Sequence, residues 1–213
     1  MNEAKKWSFA VTVTGASGFI GSHLCRAFLE SSYAVKVMAT DLYTSPRMER
    51  LLADHGESED FHFEEYDIHQ PLHSDFLAVD TFYHLSGIAN PEVYLSDPLR
   101  VMALNLDGLR NVCERIVRWS AHRPRIVYAS TSEVYGKSTR VPFDEEDTDL
   151  VFGPTQLPRW SYAMTKAVGE HFLRAYQRQG INHTIFRFFN VVGPDIDEPG
   201  KGRVLSSMVG RAW

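Results

Sequence analysis

Two rhythms of apolar and polar positions alternate along the chain. Short runs rich in β-branched and aromatic residues, apolar on both faces, predict buried strands over 9–14, 34–41, 61–67, 79–85, 125–130 and 184–189. Between them, apolar residues recur at helical spacing. That spacing predicts helices over 19–30, 46–54, 99–120 and 159–179, the last stopped by Gly180. Residues 136–158 read as loop, with acids clustered at 144–149. Strands apolar on both faces and joined by helices predict an α/β fold, a doubly wound parallel sheet with helices on both faces. The aromatic run Phe186, Phe188 and Phe189 is expected in the core of the sixth strand. After Phe189 come a loop, GPDIDEPGKG, and the start of a helical pattern, VLSSMVGRAW. Its apolar stripe of Val204, Leu205, Met208 and Val209 calls for a partner.

Composition narrows the class. The 213 residues are 44% hydrophobic and 23% charged, as in a globular chain able to bury a core without disulfides or a structural metal. Twenty-two basic against 27 acidic residues give −5, which excludes a simple electrostatic nucleic-acid binder. Cys25 and Cys113 fall in helical patterns and are expected as reduced core thiols. The N-terminus lacks the apolar stretch of a signal peptide, and no run of 18 apolar residues predicts a membrane span. The expected setting is cytoplasmic. Nine histidines include His69 and His73 at i, i+4, but Pro71 between them argues against a helical metal pair, and no metal site is expected.

The chemistry begins where the first strand meets the first helix, at Thr14-Gly15-Ala16-Ser17-Gly18-Phe19-Ile20-Gly21. Gly15 would permit the tight turn, Gly18 the approach of a pyrophosphate, and Gly21 close packing of the helix. The helix N-terminus offers free N–H groups and a positive dipole end to phosphates. Asp41 ends the second strand, 20 residues after Gly21. A carboxylate there accepts from both ribose hydroxyls and repels a 2′-phosphate, so NAD is expected over NADP. Asp67, expected to end the third strand, would meet the adenine edge together with Ile68, or else be a solvated strand-end acid.

A second constellation lies downstream. Tyr162-Ala163-Met164-Thr165-Lys166 puts a phenol and an ammonium on one helix face. The ammonium favours the phenolate, which can take a proton from an alcohol as its carbon gives up hydride. By itself this spacing is common on surface helices. The end of strand five, Ser130-Thr131-Ser132-Glu133, adds hydroxyls and a carboxylate at the sheet edge where doubly wound folds bind ligands.

With these residues in view, the chain resembles the extended short-chain dehydrogenase/reductase family, the NAD-dependent nucleotide-sugar epimerases and dehydratases. GASGFIG, Asp41, Asp67-Ile68, His84-Leu85-Ser86, STSEVYG, YAMTK and RFFNVVGP follow the family's motif order across essentially the whole chain. The resemblance implies a Rossmann-type domain over 1–213, with 191–213 the start of a truncated substrate-binding part. It implies NAD held by Gly15, Ser17, Gly18, Phe19, Ile20, Gly21, Asp41, Asp67, Ile68, Leu85, Ser86, Gly87, Tyr162 and Lys166. His84 would lie at the sheet edge near the cofactor.

Within the family, the chain looks most like UDP-glucuronate decarboxylases. Thr131-Ser132-Glu133 stands where sugar 4,6-dehydratases usually carry Thr-Asp-Glu. By that resemblance Thr131 binds the sugar 4-hydroxyl, Tyr162 is the base, Lys166 assists it, and Ser132 and Glu133 face C5 and the carboxylate. Ala89, Tyr94, Arg159 and Asn190 match positions that contact substrate. Plainer roles stand beside three of these: packing for Tyr94, surface charge for Arg159, a strand cap for Asn190. Oxidation at C4 makes a ketone β to the C6 carboxylate, and loss of CO2 leaves an enolate that the ketone stabilises. The alternatives are a nucleotide-sugar 4-epimerase or dehydratase, or a truncated NAD-binding module without turnover. Family members are considerably longer. They pair as homodimers through the two helices corresponding to 99–120 and the one after Arg159.

Overall fold

The computed structural model describes residues 7–119, 122–146, 148–196 and 208. Six strands form one parallel sheet: β1 (Phe9–Thr14), β2 (Val35–Asp41), β3 (Phe61–Glu65), β4 (Thr81–His84), β5 (Arg125–Thr131) and β6 (His183–Phe188). Their order is β3-β2-β1-β4-β5-β6. The winding direction reverses between β1 and β4, so a crevice opens there at the carboxyl ends of the strands.

Side-chain alternation along the strands feeds a core on each face. Val11, Val13, Val37 and Ala39 point to one side, where they meet Cys25 of α1 (Phe19–Leu29) and Met48 and Leu51 of α2 (Pro46–His55). Met38, Phe82, Ile126 and Tyr128 point to the other. There they meet Leu109, Cys113 and Ile116 of α4 (Pro98–Trp119) and Leu173 of α5 (Trp160–Gln177). Each fully buried Leu, Ile or Phe contributes roughly 1.5–3 kcal/mol of transfer free energy. Both cysteines are free and buried, and burial pushes both thiols up to about 12.

Several boundaries differ from the sequence pattern, each for a local reason. A short helix, α3 (Pro91–Ser96), precedes α4; Asn90 caps it by accepting from Glu92 N, with Pro91 in the first turn. β3 ends at Glu65, so Asp67 is not a strand end. Its carboxylate instead accepts from the His69 backbone N–H at 2.9 Å, turning the chain. Gly180, at φ +87°, lies two residues beyond the Arg178 cap of α5. The sixth strand is an edge, and its aromatics are not core: Phe186 is 50% and Phe189 61% exposed. Of the expected C-terminal stripe, Val204, Leu205 and Val209 lie outside the described residues, and Met208 is exposed.

Candidate active site

The turn between β1 and α1 is shaped by two different demands. Gly15 has φ +71°, and a Cβ there would lie 2.8 Å from both Leu85 C and Ser86 N. The turn therefore nests against the exit of β4, and only glycine fits. Gly21 meets the same turn from the other side, since its Cβ would strike Gly15 O and Ala16 Cα. The close packing is thus between α1 and the turn itself. Gly18 differs: a Cβ would meet only Gly15 O, at 3.1 Å. The space beside it is open cleft, of the kind a phosphate needs. Gly18 also starts α1 without a side-chain cap, leaving the first N–H groups of the helix for a ligand.

Asp41 is bound into this turn. Oδ2 accepts from Ser17 N at 2.9 Å and Oδ1 from Leu42 N at 2.8 Å. Burial pushes its carboxyl above the usual range, opposed by the N–H groups of Leu42, Ser17 and Gly18. Ser45, the cap of α2, donates its hydroxyl to Ser17 O at 2.7 Å, which ties α2 to the turn. A hollow of about 320 Å³ follows, lined by Gly15, Gly18, Asp41, Ile68, Leu85, Ser86 and Gly87 among others. Ser17 and Asp67 do not line it. The Asp67 carboxylate also holds the His69 ring at 2.7 Å and lies below the usual acid range, chiefly through the His69 backbone N–H.

An adjoining cleft of about 420 Å³ collects most of the other predicted residues. Gly15, Phe19, Ile20, Gly21, Ala89, Thr131, Glu133, Tyr162, Lys166 and Asn190 all line it. Tyr162 and Lys166 reach it from α5, one turn apart. Lys166 Nζ donates to Ala129 O at 2.9 Å, and burial lowers the ammonium to about 8. Thr131 Oγ1 accepts from Glu133 N at 3.3 Å, capping a 3-10 turn over Ser132–Tyr135. That turn carries Glu133 into the cleft. Glu133 Oε2 is buried and has no hydrogen-bond partner among the described residues. Burial raises its carboxyl, with Arg159 opposing.

Three of the residues predicted for catalysis or substrate binding stand outside the cleft wall. Ser132 lies in the turn without lining the cleft. Tyr94 stacks on the Tyr162 ring, centroids 5.6 Å apart and 11° from parallel. Arg159 lies over the Trp160 ring at 4.7 Å. His84 is not at the open edge either. It is fully buried, with Nδ1 3.3 Å from Thr14 Oγ1, and desolvation followed by the Lys166 charge lowers it to about 3.

Sequence reasoning missed two supports. Asn105, buried within α4, accepts from Ile88 N at 3.2 Å and donates to Thr165 Oγ1 at 3.3 Å, fixing the 87–88 loop to α5. Its signal was a poor helix former inside an apolar stripe. Glu170 accepts from Ser130 Oγ at 2.5 Å and pairs with Arg187 through both oxygens, at 3.0 and 2.7 Å. Glu170 continues the spacing of Tyr162 and Lys166 by one more turn.

A glycine cradle facing a Tyr–Lys pair across the switch point of a parallel sheet defines a dinucleotide-dependent redox fold. The chain belongs to the NAD dependent epimerase/dehydratase family, whose model matches residues 11–212, and NAD is the cofactor of that family. Among solved structures it is similar to the PbgP3 protein from Burkholderia pseudomallei, with 32% identity and a TM-score of 0.76 over 89% of this chain and 61% of that one. It is also similar to the UDP-N-acetylglucosamine 4-epimerase from Methanobrevibacter ruminantium M1, at 28% identity, TM-score 0.77, 93% of this chain and 60% of that one. The UDP-glucuronic acid 4-epimerase from Bacillus cereus, solved with UDP-glucuronic acid and NAD, matches at 28% identity and TM-score 0.72, over 87% and 58%. The chain therefore spans about 60% of the length of the solved structures it matches. Among the described residues no helix is long and apolar enough to cross a membrane.

Proposed function

We propose that the chain carries the cofactor and the catalytic base of an enzyme that oxidises C4 of a UDP-sugar, and that its substrate is UDP-glucuronate, which it decarboxylates. The observation that carries this reading is convergence: Thr131, Glu133, Tyr162 and Lys166 line one cleft with the glycine turn. When bound, NAD would supply the hydride acceptor for C4 oxidation. The Gly18 cradle and the start of α1 would hold its phosphates, and Asp41 would hold the adenosine ribose. Thr131 orients the 4-hydroxyl and Tyr162 takes its proton, while the Lys166 ammonium one turn along favours the phenolate. Glu133 faces C5 and the carboxylate. Its raised carboxyl, with Oε2 buried and without a partner among the described residues, suits proton transfer to the enolate left by CO2.

The decarboxylase reading rests on Ser132 between Thr131 and Glu133. A 4-epimerase shares every step up to the ketone, and the two named 4-epimerases among the similar structures favour it as the second reading. The proposal includes a cytoplasmic homodimer through α4 and α5, which leave Leu99, Met102, Met164 and Val168 exposed.

The test is incubation with NAD and UDP-glucuronate, UDP-glucose or UDP-N-acetylglucosamine, following NADH absorbance, CO2 and product mass. CO2 from UDP-glucuronate is expected. A C4 epimer formed without CO2 replaces the decarboxylase with the epimerase. Tyr162→Phe should lower sugar oxidation by about 10²–10⁴-fold at unchanged NAD affinity; retained oxidation would remove Tyr162 as the base.

A further inference from the structure

Lys166 is 4% exposed, yet the role given to it above needs a charge. Among the described residues no carboxylate pairs with it; Glu170, one turn along α5, is taken up by Arg187 and Ser130. What meets the ammonium is the Ala129 carbonyl and the Tyr128 ring, whose centroid lies 4.9 Å from Nζ. Tyr128 belongs to β5 and is itself fully buried.

This ring is kept at two costs. Its hydroxyl is buried with no hydrogen-bond partner among the described residues. It also forces a glycine into the middle of α5: a Cβ on Gly169 would strike the Tyr128 hydroxyl and lie 2.8 Å from Cζ. Packing alone would favour a smaller apolar side chain at 128 and alanine at 169. The second neighbour of the ring is His84, stacked at 6.0 Å and 14°.

We propose that Tyr128 is a positioning residue whose ring face holds the Lys166 ammonium at the floor of the cleft through a cation–π contact. An aromatic face stabilises a desolvated cation without neutralising it. A carboxylate in the same place would turn the charge away from Tyr162. The groups facing the ammonium are His84 from β4, Tyr128 from β5 and the backbone at Gly87, whose Cβ would lie 3.4 Å from Nζ; on α5 itself Tyr162 lines the same cleft one turn before, and the Glu170 carboxylate one turn after is held by Ser130 and Arg187. Of these, the Tyr128 ring supplies the face directed at Nζ. The inference rests on the role proposed for Lys166, but its test needs no turnover.

The chain is labelled with 13C at the lysine ε-carbon, and the Lys166 signal is assigned by its loss in Lys166→Met. Its titration is then followed in wild type, in Tyr128→Phe, and with di- and trifluorinated phenylalanine at 128, which keep the ring's shape while weakening its negative face. Tyr128→Phe should hold the midpoint close to wild type. Fluorination should lower it stepwise, by about one pH unit in all. A midpoint that ignores fluorination would overturn the proposal. Tyr128→Leu should lower it further; because that variant can fail to fold, the fluorinated series decides. A stepwise fall in a chain that oxidises no UDP-sugar would uphold the ring contact and sink only the proposed reaction.

Discussion

The two sides of the cleft follow opposite rules. On the phosphate side, shape and backbone hydrogen bonds leave little to spare. Gly15 sits against Leu85, Asp41 takes the N–H groups of Ser17 and Leu42, and Ala16 N donates to Thr40 O at 3.1 Å. Thr40 Oγ1 is the exception there, buried without a partner among the described residues. On the sugar side, Glu133 Oε2, His84 Nε2 and the Tyr128 hydroxyl are all buried without hydrogen-bond partners among the described residues, around a lysine lowered to about 8. Unpaired polar atoms cost stability wherever they occur. In the proposed reaction the first wall would seat the cofactor and the second would move protons.

That contrast breaks first at the glycines, where it makes the largest prediction. Gly15→Ala combines a left-handed backbone with a methyl group 2.8 Å from backbone atoms that cannot yield. It should cost about 4 kcal/mol of folding stability, read from denaturant midpoints. Gly18→Ala has extended backbone, at φ −70° and ψ 172°, and its methyl group meets only Gly15 O, at 3.1 Å, a tight contact that a shift of a few tenths of an ångström relieves. It should leave stability within about 1 kcal/mol and weaken NAD binding at least about tenfold. Equal stability losses in the two variants would mean that the cradle is a structural turn and not a ligand surface.

The sugar side yields a smaller effect. Glu170→Gln leaves the Arg187 guanidinium, whose side chain is 11% exposed, without its charge partner. A loss of about 3 kcal/mol is expected, since breaking a buried pair strands the remaining charge. Ser130 loses the same carboxylate, so the end of β5 should loosen with it. A melting temperature equal to wild type would show that this edge is held by packing instead.

These sites were not equally legible in the sequence. The phosphate turn is local: strand, glycines, helix and a later acid can be read along one stretch, and the structure brings them together. The β5–α5 edge is assembled from distant pieces. Tyr162, Lys166 and Thr131 could be named because their spacing and surroundings match a family pattern, but the Glu170–Arg187 pair spans 17 residues and leaves no local mark. Asp67 and His84 failed for the same reason. His84 does end β4 but Asp67 lies two residues past the end of β3, and the direction of each is set by a hydrogen bond, to Thr14 or His69, that periodicity does not encode. Phe186 and Phe189 were misread because an apolar run shows that a strand exists, not whether both of its faces are covered.

The smallest prediction separates fit from chemistry within the phosphate side itself. Burial raises the Asp41 carboxyl, so the folded chain takes up its proton at a higher pH than the unfolded chain does. Keeping this group charged therefore disfavours folding at neutral pH, and that penalty disappears as pH falls below the ordinary carboxylate range. The proposed ribose contact needs the charge, so on that reading NAD affinity should decline on acidification through the raised range while the apo chain is relieved. Asp41→Asn removes the titration and about one charged hydrogen bond. It should weaken NAD about tenfold near neutral pH, flatten the acid limb of affinity, and shift the apo melting temperature by only a few degrees. Calorimetric titration of both proteins across the acid range checks all three. An acid limb that survives in Asp41→Asn would move the ribose contact to another group.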